Sequence, residues 1–219
     1  MTRAPEIPAG ARVAHQFNDS AQQKHAVLLG MWTFLATEVV LFGGLIASFV
    51  ICRVMYGRAF SQAGSHLYAW IGITNTAVLL TSSAFVALAV ETDPGRNRRR
   101  SLLLSATALL GLCFLGLKGV EYGLDVHEGI LPRIAWRPEQ FADASRAELF
   151  MLFYWLMTGL HALHVSAGIA VIGVLAWRSR RAEYAHGHHN TIEAAGLYWH
   201  FVDIVWLFLL PLLYLGSPP

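Results

Sequence analysis

With 219 residues, 55% of them hydrophobic and 14% charged, the chain departs from soluble composition toward that of a membrane protein. A net charge of +2 is too small to imply nucleic acid, and the basic residues group by loop rather than along a groove. Cys52 and Cys113 fall in or beside apolar segments with no pairing pattern, so they read as small hydrophobes and not as a disulfide or metal framework.

Residues 1–25 are polar, contain Pro5, Pro8 and Gly10, and lack the apolar core of a cleavable signal peptide. They read as an N-terminal tail ahead of a single transmembrane domain over 26–216. Crossing a bilayer takes about 20 apolar residues. Five stretches supply them, 27–52, 67–90, 101–121, 149–177 and 194–215, and no loop between them is long enough for a folded soluble domain.

The first span carries Glu38 within Phe34-Leu35-Ala36-Thr37-Glu38-Val39-Val40-Leu41-Phe42. A carboxyl at that depth is desolvated, which favours its neutral form. It is either a proton-handling or partner-sensing group or a neutral acid bonded to a neighbouring helix. Gly43, Gly44, Ala47 and Ser48 give small-residue faces that admit a second helix, so this side is expected to be buried in protein. In the second span Asn75 lies between Thr74 and Thr76, where satisfaction of the helix backbone is the favoured reading. The third span ends with Lys118 and Glu121 one turn apart, an expected interfacial ion pair of modest value. The loop over 122–148 is acidic, holds Pro132 and Pro138, and has room for a short surface helix.

The fourth span, long enough to tilt or protrude, places His161 and His164 three apart on the face that also carries Gly168. Two histidines on one helix suit a metal or haem. The companion patterns are missing, however: there is no Cys-x-x-Cys-His, no di-iron carboxylate pairing and no thiolate pair. Hydrogen bonding to a helix or lipid is therefore favoured, with a haem bundle that adds His200 as the alternative. Arg178, Arg180 and Arg181, followed by His186, His188 and His189, form a basic loop suited to anionic headgroups. The fifth span keeps His200 and Asp203 inside itself, three apart; such groups face protein or water rather than lipid. Ten Lys and Arg lie in the tail and the second and fourth loops against five on the other side, which places the N-terminus in the cytoplasm and the C-terminus outside. No Walker loop, Rossmann fingerprint, nucleophile elbow or zincin pair occurs, so no catalytic residues are assigned.

Taken together, four segments resemble subunit III of the haem–copper terminal oxidases, over nearly all of 25–216. The strongest runs from Gly187-His188-His189 to Leu209, with Glu193-Ala194-Ala195, Tyr198-Trp199-His200-Phe201-Val202-Asp203 and Val205-Trp206-Leu207-Phe208. Thr158-Gly159-Leu160-His161-Ala162-Leu163-His164-Val165 is similar to the family's Thr-Gly-x-His-Gly-x-His-Val. Thr37-Glu38-Val39-Val40-Leu41-Phe42 resembles its Ser-Glu-Val-x-Phe-Phe, and Glu121-Tyr122 its Glu-Tyr pair.

The resemblance implies an all-α bundle of five transmembrane helices, a short bacterial form lacking the first two helices of longer members. It implies a non-catalytic subunit of a proton-pumping oxidase in the inner membrane that packs on subunit I, supports proton uptake and protects the active centre from turnover-linked inactivation. Haem and copper would lie in subunits I and II, where the electron donor also docks, and this chain would bind structural phospholipid but no cofactor of its own. By position, Glu38 matches the family's buried, carbodiimide-reactive carboxyl, and Arg178, Arg181, His188 and His189 match its headgroup-facing loop. Asn75, His161, His164, His200 and Asp203 are expected to make intramembrane polar contacts. The competing readings are an accessory subunit of nitric oxide reductase, a self-standing haem or metal protein, and a proton channel.

Overall fold

The computed structural model describes residues 20–93, 95–181 and 189–214. In chain order they form α1 (Ser20–Met55), α2 (Gly57–Gly64), α3 (Ala69–Val90), α4 (Asn97–Glu128), α5 (Ala144–Arg180) and α6 (His189–Leu213). All but α2 are long and apolar enough to cross a membrane. Hydrocarbon offers the backbone no hydrogen-bond partner, so each apolar run satisfies its own N–H and C=O groups by coiling into a helix.

The helices extend beyond the apolar runs because nothing stops them at the membrane edge. The first begins at Ser20, ahead of residue 27, and α4 continues to Glu128, past the apolar limit near 121. It ends at Gly129, whose φ of 78° is left-handed and releases the helix. Asp143 starts α5 by accepting the Arg146 backbone N–H at 3.3 Å. With 37 residues, α5 is about 55 Å long and overruns a hydrocarbon core of about 30 Å.

Between α4 and α5, where the sequence leaves room for a short surface helix, the chain forms a tight antiparallel pair, Ile130–Leu131 with Ala135–Trp136, and a single 3₁₀ turn over Pro138–Gln140. Trp136 stacks on Phe141 at 4.9 Å, which folds this segment onto itself. The short amphipathic helix is instead α2, whose Phe60 fills a cluster with Phe49 of α1 (5.4 Å) and Phe150 of α5 (5.4 Å).

Helices α3 to α6 make the core, and α6 is wedged into it by tryptophans. Trp199 occupies space that Gly111 of α4 and Gly168 of α5 leave open: a Cβ there would lie 2.8 and 2.9 Å from its ring. Its Nε1 donates to Ser82 Oγ at 3.0 Å, and Trp206 Nε1 donates to Thr76 Oγ1 at 3.0 Å, so both indoles reach α3.

Helix α1 lies at the edge, against α5 and α6. Leu35, Phe42 and Phe49, seven apart, form its buried stripe. Gly43, Gly44, Ala47 and Ser48 lie off that stripe and are exposed, with nothing near a Cβ built on either glycine. The close helix approach expected on this face is therefore not made within the chain. Polar links hold α1 at three levels: Lys24 to Glu193 at 3.2 Å, Glu38 to His164 at 2.9 Å, and Arg53 to the Leu212 carbonyl at 2.7 Å.

Candidate functional site

Two polar clusters are formed by side chains of the long apolar helices and their ends. The first joins α1 to α5. Spacing along α5 turns His164 toward α1, and Glu38 meets it with Oε2 2.9 Å from Nε2. The other ring nitrogen, Nδ1, donates to the Leu160 carbonyl at 2.8 Å, because a carbonyl can only accept. One proton therefore serves the Glu38–His164 contact. It sits either on the carboxyl, facing neutral imidazole, or on the imidazole, facing carboxylate. Both forms are hydrogen-bonded and net neutral, so the proton can change owner with no rearrangement of the helices. Tyr198 donates to the His164 carbonyl at 2.9 Å and Phe42 packs edge-on against the imidazole at 5.3 Å, fixing the ring. The two side chains keep 13% and 14% exposure, enough to be reached from the edge of the bundle.

The second cluster lies inside α4, α5 and α6. Lys118 Nζ contacts Glu121 Oε2 at 2.9 Å, Tyr214 Oη at 2.8 Å and Tyr154 Oη at 3.2 Å. Tyr214 donates to Glu121 Oε1 at 2.7 Å and Tyr154 to Asp125 Oδ2 at 3.2 Å. The ammonium also faces the rings of Tyr122, Tyr154, Trp206 and Tyr214 at 4.8 to 5.6 Å. Lys118 is 2% exposed and Glu121 0%. The sequence leads one to expect an interfacial pair of modest value; the structure places the two groups at ion-pair distance and buries both in protein. The pair is sealed in protein, because aromatic side chains from two other helices close over it.

Residues 13–217 match the family model described as Cytochrome c oxidase subunit III. The chain is 33% identical to cytochrome c oxidase subunit 3 of Thermostichus vulcanus, over 86% of either chain. It is 31% identical to that of Alkalihalophilus pseudofirmus, over 85% of each, and 30% identical to that of Synechocystis sp., over 86% of this chain and 75% of the relative. The chain belongs to the cytochrome c oxidase subunit III family. Its role is that of a subunit III in a haem–copper oxidase, and the family implies association with other oxidase subunits. These relatives do not favour the nitric oxide reductase, solitary haem or channel readings.

In this subunit III chain the three intramembrane histidines go to different partners. His164 takes Glu38, while His200 Nδ1 lies 2.6 Å from Ser83 Oγ and ties α6 to α3. His161 is enclosed between Phe114 (5.5 Å) and Trp206 (5.2 Å), with no hydrogen bond to a described residue. Asn75 and Asp203 are likewise buried; the Asn75 side chain has no hydrogen-bond partner among the described residues, and the polar neighbour of the Asp203 carboxyl is Ser83. Among those residues no three His, Cys, Asp or Glu side chains converge as a metal site.

In the basic loop, Arg178 and Arg181 are exposed, and the Arg181 guanidinium lies 4.0 Å from the Trp177 ring centroid. Arg180 bonds Ser101 Oγ at 3.1 Å. His188 and the side chain of His189 lie outside the described residues. Sequence reasoning missed Asp125, Tyr154 and Tyr214. Asp125 lies one turn beyond Glu121, and that i, i+4 spacing is the available signal; the tyrosines carry none until the helices are packed.

Proposed function

We propose that this chain is the non-catalytic subunit III of a bacterial proton-pumping terminal oxidase, seated beside subunit I in the inner membrane. Haem and copper are held by subunits I and II, which also receive the electron donor. The observation that carries this reading is the family match over 13–217, nearly the whole length. The N-terminus faces the cytoplasm and the C-terminus the outside, in line with the excess of Lys and Arg in alternate loops.

On this reading Glu38 and His164 form the proton-handling element. They share one proton at the edge of the bundle, where a partner or lipid reaches them. Asn75, His161, His200 and Asp203 serve packing contacts between helices, and Lys118 with Glu121 anchors the core. Arg178, Arg181, His188 and His189 hold phospholipid headgroups on the cytoplasmic side, where anionic lipid favours a basic loop.

Purification of the tagged chain in mild detergent tests the assignment. Co-purification of a haem-bearing catalytic subunit together with a copper-binding partner is expected. A stable, solitary and coloured chain, or a nitric oxide reductase pair, overturns it.

A further inference from the structure

We propose that Asp125 is a neutral carboxylic acid, an exchangeable proton site built against a fixed ion pair in the α4–α5–α6 core. The argument is a count of hydrogens. Tyr214 commits its only hydroxyl hydrogen to Glu121 Oε1 and Tyr154 commits its own to Asp125 Oδ2. The contacts from Lys118 Nζ to both phenols and to Glu121 Oε2 are therefore all donated by the amine. Three donated bonds require three hydrogens, so Lys118 is an ammonium. Glu121 accepts on both oxygens, so it is the carboxylate that balances it.

Asp125 is left over. It is 0% exposed, Tyr154 occupies Oδ2, and Oδ1 has no hydrogen-bond partner among the described residues. The charged groups acting on it are Glu121, Glu128 and Lys118, and Lys118 is already balanced by Glu121. Ionised, Asp125 would add a second negative charge with one bare oxygen, which a medium of low dielectric penalises most. With a proton on Oδ1 the cluster is neutral, and Oδ2 still accepts from Tyr154. Glu128, one turn further along α4 and hydrogen-bonded by Tyr68, stands at the end of the helix and is only partly buried. It is the next carboxyl along the helix from Asp125. The ligand of this site is the proton itself, and its loss would leave the cluster with one net negative charge.

Charge-selective variants in the assembled oxidase test this. Asp125→Asn keeps a neutral group of the same shape, and melting temperature and yield are expected to stay at wild-type level. Glu121→Gln leaves the ammonium unpaired, and the yield of assembled complex should fall about tenfold or more. Equal loss in both variants, or greater loss in Asp125→Asn, overturns the assignment.

Infrared spectra of complex carrying ¹³C-labelled aspartate give a readout that does not depend on folding yield. A protonated-carboxyl C=O band that shifts in D₂O and is missing in Asp125→Asn is expected. Should Asp125→Asn fail to assemble, Asp125→Glu must move that band out of the labelled set. A spectrum without a band assignable to Asp125 overturns the proposal.

Discussion

The Glu38–His164 pair and the Lys118 cluster are both polar groups built on apolar helices, yet they are stabilised differently. The first lies at the edge of the bundle, where one proton shared between two side chains makes the contact neutral. The second lies at its centre, where an ammonium and a carboxylate persist because two phenols and four aromatic rings replace their hydration. Charge is kept where several helices can enclose it, and is cancelled locally where an edge helix provides a single wall. The edge contact can thus pass its one proton between two members, while the central one fixes the packing of three helices.

Removing one member of the central pair should have the largest effect. Lys118→Met leaves Glu121 ionised and unpaired, and a loss of about 3–5 kcal/mol is expected in detergent unfolding of the chain. The double variant Lys118→Met/Glu121→Gln should recover most of it, since no bare charge then remains. Failure of the double variant to recover would show that packing, rather than charge, governs the cluster.

Gly111→Leu tests the core by volume instead of charge. Its side chain collides with Trp199 and Ile169, and a loss of about 1–3 kcal/mol is expected, with a change in Trp199 fluorescence. At the edge, Glu38→Ala strips His164 of its partner and should cost about 1–3 kcal/mol. Glu38→Gln keeps a donor facing Nε2, so thermal melting of the complex should move by less than about 1 kcal/mol equivalent, while proton exchange at the pair is lost. A collapse of assembly in Glu38→Gln would mean that the edge pair needs a fixed charge after all, and the contrast between the clusters would disappear. The smallest effect, about 0.5–1.5 kcal/mol, is expected for Ser83→Ala, which removes a single neutral bond to His200 and is read from the same melting curves.

The five spanning helices were legible from the residue order, because a bilayer leaves a long apolar run no other backbone solution. Family membership was legible too, from motifs local to single helices. Spacing placed His161 and His164 on one face and Lys118 within reach of Glu121, since helical periodicity fixes neighbours three and four apart. What those groups touch was decided by tertiary packing. His161 is closed in by Phe114 of α4 and Trp206 of α6, while His164, one turn on, meets Glu38 across 126 positions of chain.

Packing likewise enclosed the Lys118–Glu121 pair in protein, and it left Gly43 and Gly44 facing outward. Local periodicity sets which side chains share a face of a helix. Depth, enclosure and charge balance depend on side chains contributed by other helices, and no pattern within one segment encodes them.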